Sequence, residues 1–126
     1  YGTVLATVAD NDKEESLPLI RRFYNLGFNI EATPGTAAFL KDHGIRTRVR
    51  QKLADGSDDI LKSIRQGHVT YVINTRDVAS HNKSDGHAIR QCAVENNVTV
   101  FTALDTVRVV LDVLEESTLG ISTIDA

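Results

Sequence analysis

The sequence predicts an α/β fold: a three-layer, doubly wound sandwich built on a five-stranded, mostly parallel sheet. Three observations lead there. Five short apolar, β-branched runs alternate with five segments of helical periodicity. Glycines stand directly behind three of the helical segments, at Gly27, Gly44 and Gly67, where a residue free to adopt a left-handed conformation ends a helix. With 126 residues, 41% hydrophobic content and two prolines, the chain can bury the core of one domain. Strands and helices alternating at this spacing imply right-handed crossovers, parallel neighbours and helices on both faces of the sheet.

Residues 4–9, Val-Leu-Ala-Thr-Val-Ala, read as the first strand. Residues 12–26 follow as a helix, with Leu17, Ile20 and Phe23/Tyr24 at helical spacing. Pro18 fits only a first turn, so the regular part of this helix is expected to start near Leu17. Residues 28–32 read as the second strand, Pro34-Gly35 as a turn and 36–43 as a helix. A short third strand spans 46–51 with Val49 inward, and a helix over 58–66 places Ile60, Leu61 and Ile64 on one face. Strand 69–73, helix 85–97 with Asp85 as its N-cap, and strand 98–102 complete the alternation. The last helix, 104–115, is expected to bury Val109, Val110 and Val113 and to show Asp112, Glu115 and Glu116 to solvent. Residues 117–126 are small and polar, suited to a chain end or a subunit contact.

In such sheets, ligands gather beyond the carboxyl ends of the strands. Those positions hold Asp10-Asn11-Asp12-Lys13, then Thr33 and Thr36, then Lys52, then Asn74-Thr75-Arg76, and last Thr102. The stretch Ala32-Thr33-Pro34-Gly35-Thr36-Ala37 is the most informative of these. A strand there gives way to a helix start, whose unpaired amides and positive dipole end favour an anion, and a glycine lets a phosphate approach the main chain. Two lysines among hydroxyl and amide donors, in a chain of net charge −3, suit a phosphorylated small molecule.

The same charge argues against general nucleic-acid binding. No apolar run is long enough to cross a bilayer and no signal peptide opens the chain, so a soluble, cytoplasmic protein without membrane partners is expected. The single Cys92 cannot close an internal disulfide, and its place on an apolar helix face makes it a small core residue. His43 sits at a helix stop, His68 and His87 read as exposed, and the histidines show no ligand spacing, so no metal site is expected. With no Met anywhere, Tyr1 is not a translational start, and the chain is expected to be a single domain cut from a larger multidomain enzyme.

Asp12-Lys13-Glu14-Glu15, the 32–37 stretch, Asn74-Thr75, Ser84-Asp85-Gly86 followed by Ile89-Arg90, and Ala93-Val94-Glu95-Asn96-Asn97 stand in an order and spacing that resembles the methylglyoxal-synthase-like domain. The version it is most similar to is the C-terminal allosteric domain of the bacterial carbamoyl-phosphate synthase large subunit. The resemblance implies a Rossmann/flavodoxin-like layout and a regulatory module with no cofactor of its own. Its effector would be uridine monophosphate, inosine monophosphate or phosphoribosyl pyrophosphate. It further implies phosphate contacts from Lys13, Thr33, Thr36, Lys52, Asn74 and Thr75, with Arg76, Lys83 and Asp85 as further effector contacts. The parent it implies is a glutamine-hydrolysing ligase using ATP and Mg in pyrimidine or arginine biosynthesis. Partners would be the synthase domains of the same chain and the glutaminase small subunit. Arg76 replaces a second threonine of some relatives, the 77–84 loop is slightly longer and Gln91 replaces an arginine, which leaves the choice of effector open.

The alternative is a free-standing lyase acting on dihydroxyacetone phosphate, which needs carboxylates and a histidine to move protons. Asp10, Asp12, Asp58 and Asp85 are its candidate acids. Ser57, however, stands where that enzyme's catalytic aspartate falls, and Asn82 stands where its histidine falls, with His81 one residue away. The chain alone is therefore expected not to be an enzyme.

Overall fold

The computed structural model describes residues 2–51, 59–75 and 83–125, with the backbone alone for 83–86 and 118–125. Thr3–Thr7 (β1), Asn29–Ala32 (β2), Thr47–Val49 (β3), Val69–Asn74 (β4) and Thr99–Phe101 (β5) form one sheet in the order β3-β2-β1-β4-β5. Every pairing in it is parallel. Among the described residues the helices are Lys13–Asn25 (α1), Pro34–Asp42 (α2), Asp59–Arg65 (α3), Lys83–Glu95 (α4) and Leu104–Asp125 (α5). The order reverses between β1 and β4, so the chain winds outward in both directions from a central β1.

Alternation along β1 divides the interior in two. Val4 and Ala6 join Ile20, Phe23, Leu40 and Leu111 under α1, α2 and α5, whereas Leu5 joins Ile60, Ile64, Ile89 and Cys92 under α3 and α4. This is why β1 shows no alternation of apolar and polar residues and is buried at all five positions: in a parallel sheet covered on both sides no position is left for water. Phe23, Phe28, Tyr71 and Phe101 form a chain of ring contacts with centroids 5.3–5.9 Å apart.

Several element boundaries differ from the sequence reading, each for a physical reason. β1 stops at Thr7, and a single 3-10 turn, Asp10–Asp12, leads directly into α1 at Lys13. Pro18 is thus inside the helix rather than in its first turn. It faces solvent, and burying Leu19, Ile20 and Phe23 at about 1.5–3 kcal/mol each outweighs the roughly 3 kcal/mol an interior proline costs. α2 starts at Pro34, not after it, because a fixed φ and an absent N–H cost nothing at the first helical position. Val49 is 36% exposed instead of inward: it ends an edge strand with a neighbour on one side only, and Thr47 takes the buried position. α4 begins at Lys83, which makes Asp85 its third residue and not its cap.

The phase of the last helix is also different. Leu104, Val107 and Leu111 are buried at the i, i+3, i+7 positions of one face, whereas Val109 and Val113 are 62% and 57% exposed. Nor do Asp112 and Glu115 simply face solvent. Arg22 on α1 pairs with both, donating to Asp112 at 2.7 Å and to both Glu115 oxygens, which ties α1 to α5 and holds the Glu115 carboxyl below its usual range. The helix continues through most of the 117–126 segment, to Asp125. No helix among the described residues is long and apolar enough to cross a membrane.

Candidate functional site

The loop after β1 leaves the ladders on both sides, so its backbone groups need other partners. Side chains that follow the two neighbouring strands, one in the first turn of α2 and one just past β4, supply them. Thr36 Oγ1 accepts from the Val8 amide at 3.3 Å and donates to the Val8 carbonyl at 3.4 Å, while Thr75 Oγ1 accepts from the Ala9 amide at 3.1 Å. The Thr75 amide in turn donates to the Thr7 carbonyl at 3.2 Å. Beneath them, Thr7 Oγ1 donates to Asn74 Oδ1 at 2.6 Å across the β1–β4 seam. All five polar residues, Thr7, Thr33, Thr36, Asn74 and Thr75, are buried to 4% exposure or less. They gather where the strand order reverses, the crevice at which open α/β sheets take ligands.

Thr33 occupies the N-cap of α2 but makes no capping bond; its hydroxyl lies 3.5 Å from that of Thr36. Over this helix start lies Lys13, the first residue of α1. Its side chain is only 16% exposed, its Nζ stands 3.8 Å from where a Cβ on Gly35 would sit, and it pairs with the exposed carboxylate of Asp10. An ammonium group held near the positive end of a helix favours an anion between them, and here the exposed Asp10 carboxylate is the only anion that is paired with it among the described residues.

The same edge continues into a cavity of about 200 Å³ lined by Asp12, Glu15, Thr75, Thr102, Ala103, Leu104 and Asp105. Three carboxylates make this flank hostile to phosphate and receptive to hydroxyl or amino donors. Sequence reasoning missed Glu15 and Asp105 as site residues, since each reads as an ordinary acid in a first helical turn.

Of the residues expected from the sequence, the fold brings Lys13, Thr33, Thr36, Asn74 and Thr75 to one edge. Lys52 and Arg76 lie outside the described residues, as do Ser57, Asp58, His81 and Asn82 of the alternative lyase reading. Lys83 and Asp85 fall in the first turn of α4, where only the backbone is described. Of the other candidate acids, Asp10 is engaged by Lys13 and Asp12 lines the cavity. Cys92 is buried, with Sγ 3.8 Å from the Leu61 carbonyl, and among the described residues no group of three His, Cys, Asp or Glu is placed to hold a metal ion.

A second polar cluster lies within the sheet. Glu31 is buried on β2, where Arg50 grips both of its oxygens at 3.0 and 3.1 Å and His68 Nε2 lies 3.0 Å from one of them. Burial, the largest single influence, pushes this carboxyl up, but the hydrogen bonds it accepts, Arg50's and His68's among them, together with the Arg50 charge hold it below its usual range. His68 is therefore half-buried and partnered, not exposed as its sequence position suggests. Its link to Glu31 spans 37 residues of sequence and leaves no local signal.

The family model for the MGS-like domain matches residues 15–102. The chain is also similar to the crystal structure of ForH, with a TM-score of 0.62 and 19% identity over 93% of this chain and 82% of that one. At that identity the likeness speaks for the fold.

Proposed function

This chain belongs to the MGS-like domain family, and from that premise we propose that it is a regulatory domain binding a phosphorylated, nucleotide-type effector. The observation that carries this reading is Lys13, half-buried against the start of α2 beside the buried Thr33 and Thr36. An effector phosphate enters between Lys13 and the first turn of α2 and displaces Asp10 from the ammonium group. Charge-assisted bonds from Lys13 and the α2 amides then hold it. The acidic flank of Asp12, Glu15 and Asp105 takes the hydroxyl-bearing part of the same molecule.

By resemblance to the allosteric domain of carbamoyl-phosphate synthase large chains, the effector is uridine monophosphate, inosine monophosphate or phosphoribosyl pyrophosphate. Lys52, Arg76, Lys83 and Asp85 complete its contacts. The domain performs no chemistry: it transmits about 1–3 kcal/mol of coupling to synthase domains that hold ATP and Mg.

Calorimetric titration with the three effectors and with inorganic phosphate tests this. At least one effector binds more tightly than phosphate, and Lys13→Ala and Lys52→Ala each remove most of the affinity. Saturating amounts of all four with no heat and no thermal stabilisation defeat the reading.

A further inference from the structure

The opposite edge of the sheet carries a feature that the effector site does not use. Arg46, Arg48 and Arg50 occupy alternate positions on and beside the edge strand β3; of the residues that alternate with them, Ile45 and Thr47 are buried and Val49, at the strand's end, is exposed. Alternation puts the three arginines on one face, about 7 Å apart along the strand. Glu31 is the register partner of Arg48 and shares that face, yet its carboxylate is bound by Arg50. Arg46 and Arg48 are exposed and make no ion pair or hydrogen bond among the described residues.

These two guanidinium groups line a cavity of about 620 Å³ at the amino ends of the strands, with Tyr24, Asn29, Thr47 and His68 among its other walls. Edge-strand charges often serve only to repel other strands. A cavity is not needed for that, nor is a buried carboxylate neutralised from the side so that the two remaining arginines set the sign of the space.

We propose that this amino-edge cavity is a second ligand site, for a small molecule bearing two oxyanion groups, one for Arg46 and one for Arg48. A guanidinium fork binds carboxylate and phosphate bidentately, so the shared chemistry is two such groups on one small frame, a polycarboxylate or a bisphosphate. Tyr24 and Asn29 lie within the same cavity to contact the frame.

The test uses the whole chain carrying Lys13→Ala, which silences the carboxyl-edge site. Citrate and fructose 1,6-bisphosphate serve as two-anion probes, acetate and inorganic phosphate as one-anion probes, all followed by calorimetry. Citrate or the bisphosphate binds and both single anions bind more weakly; whichever of the two binds names the source of the oxyanions. Arg46→Gln and Arg48→Gln each weaken that binding about tenfold or more, with an unchanged melting temperature because neither side chain has a structural partner among the described residues. Absence of binding by both two-anion probes overturns the proposal. So does affinity that survives the Arg46→Gln/Arg48→Gln double variant.

Discussion

Lys13 Nζ and the space above Gly35 share one small volume: a Cβ built on Gly35 would lie 3.8 Å from the ammonium nitrogen, at ordinary contact distance. A methyl group therefore fits the folded chain but occupies the approach a phosphate would use.

Gly35→Ala should separate stability from binding. Within α2, alanine is favoured over glycine by roughly 0.5–1 kcal/mol, so thermal unfolding should move upward. Effector affinity should fall by about tenfold or more, equivalent to about 1.4 kcal/mol. Unchanged affinity in the stabilised variant would place the phosphate elsewhere.

Thr7→Val removes the 2.6 Å hydrogen bond to Asn74 while keeping the shape of the side chain. Loss of a buried bond partner costs about 1–3 kcal/mol, which urea unfolding should report as a lower midpoint with an unchanged m value. A loss under about 0.5 kcal/mol, the size of an ordinary surface change, would show that the β1–β4 seam does not depend on this bond.

Acidification should weaken the fold partly through Glu31. Its folded-state pKa lies below the ordinary carboxyl value of about 4.5, so the stability it contributes is present above about pH 4.5 and is lost as pH falls through the lower folded value. Glu31→Gln should cost about 1–3 kcal/mol at neutral pH, with the gap to the parent chain closing below about pH 4.5. A gap that stays constant down to pH 3 would mean that the carboxylate's charge adds nothing to the Arg50 pair.

The two faces of α5 should respond oppositely to substitution. Leu111→Ala empties a fully buried position and should cost about 2–5 kcal/mol, while Val113→Lys, at 57% exposure, should change stability by less than about 0.5 kcal/mol. Comparable losses at both positions would mean that the exposed valines also pack in the folded chain.

Local pattern carried much of this fold. Parallel strands deliver their carboxyl ends to one edge, so strand-end reasoning assembled Lys13, Thr33, Thr36, Asn74 and Thr75 without knowing the strand order. What failed was phase and distance. Valines on both sides of α5 hid the stripe of Leu104, Val107 and Leu111, and Pro18 looked like a boundary because its exposure could not be read locally. The Glu31 cluster and the Thr7–Asn74 bond join residues 19 to 67 positions apart, a separation over which periodicity is silent.

Placing β1 at the centre of the sheet also sets an order of assembly. Of the five strands it is synthesised first, and it can pair with β2 and, through β2, with β3 while later residues are still being made. Its other ladder waits for β4, across a loop that closes 67 residues at the Thr7–Asn74 bond. The core under α1 and α2 waits longer still, for α5 at the far end of the chain. Neither half can therefore complete its packing alone, which makes the fold depend on non-local pairings that close only after β4, β5 and α5 exist.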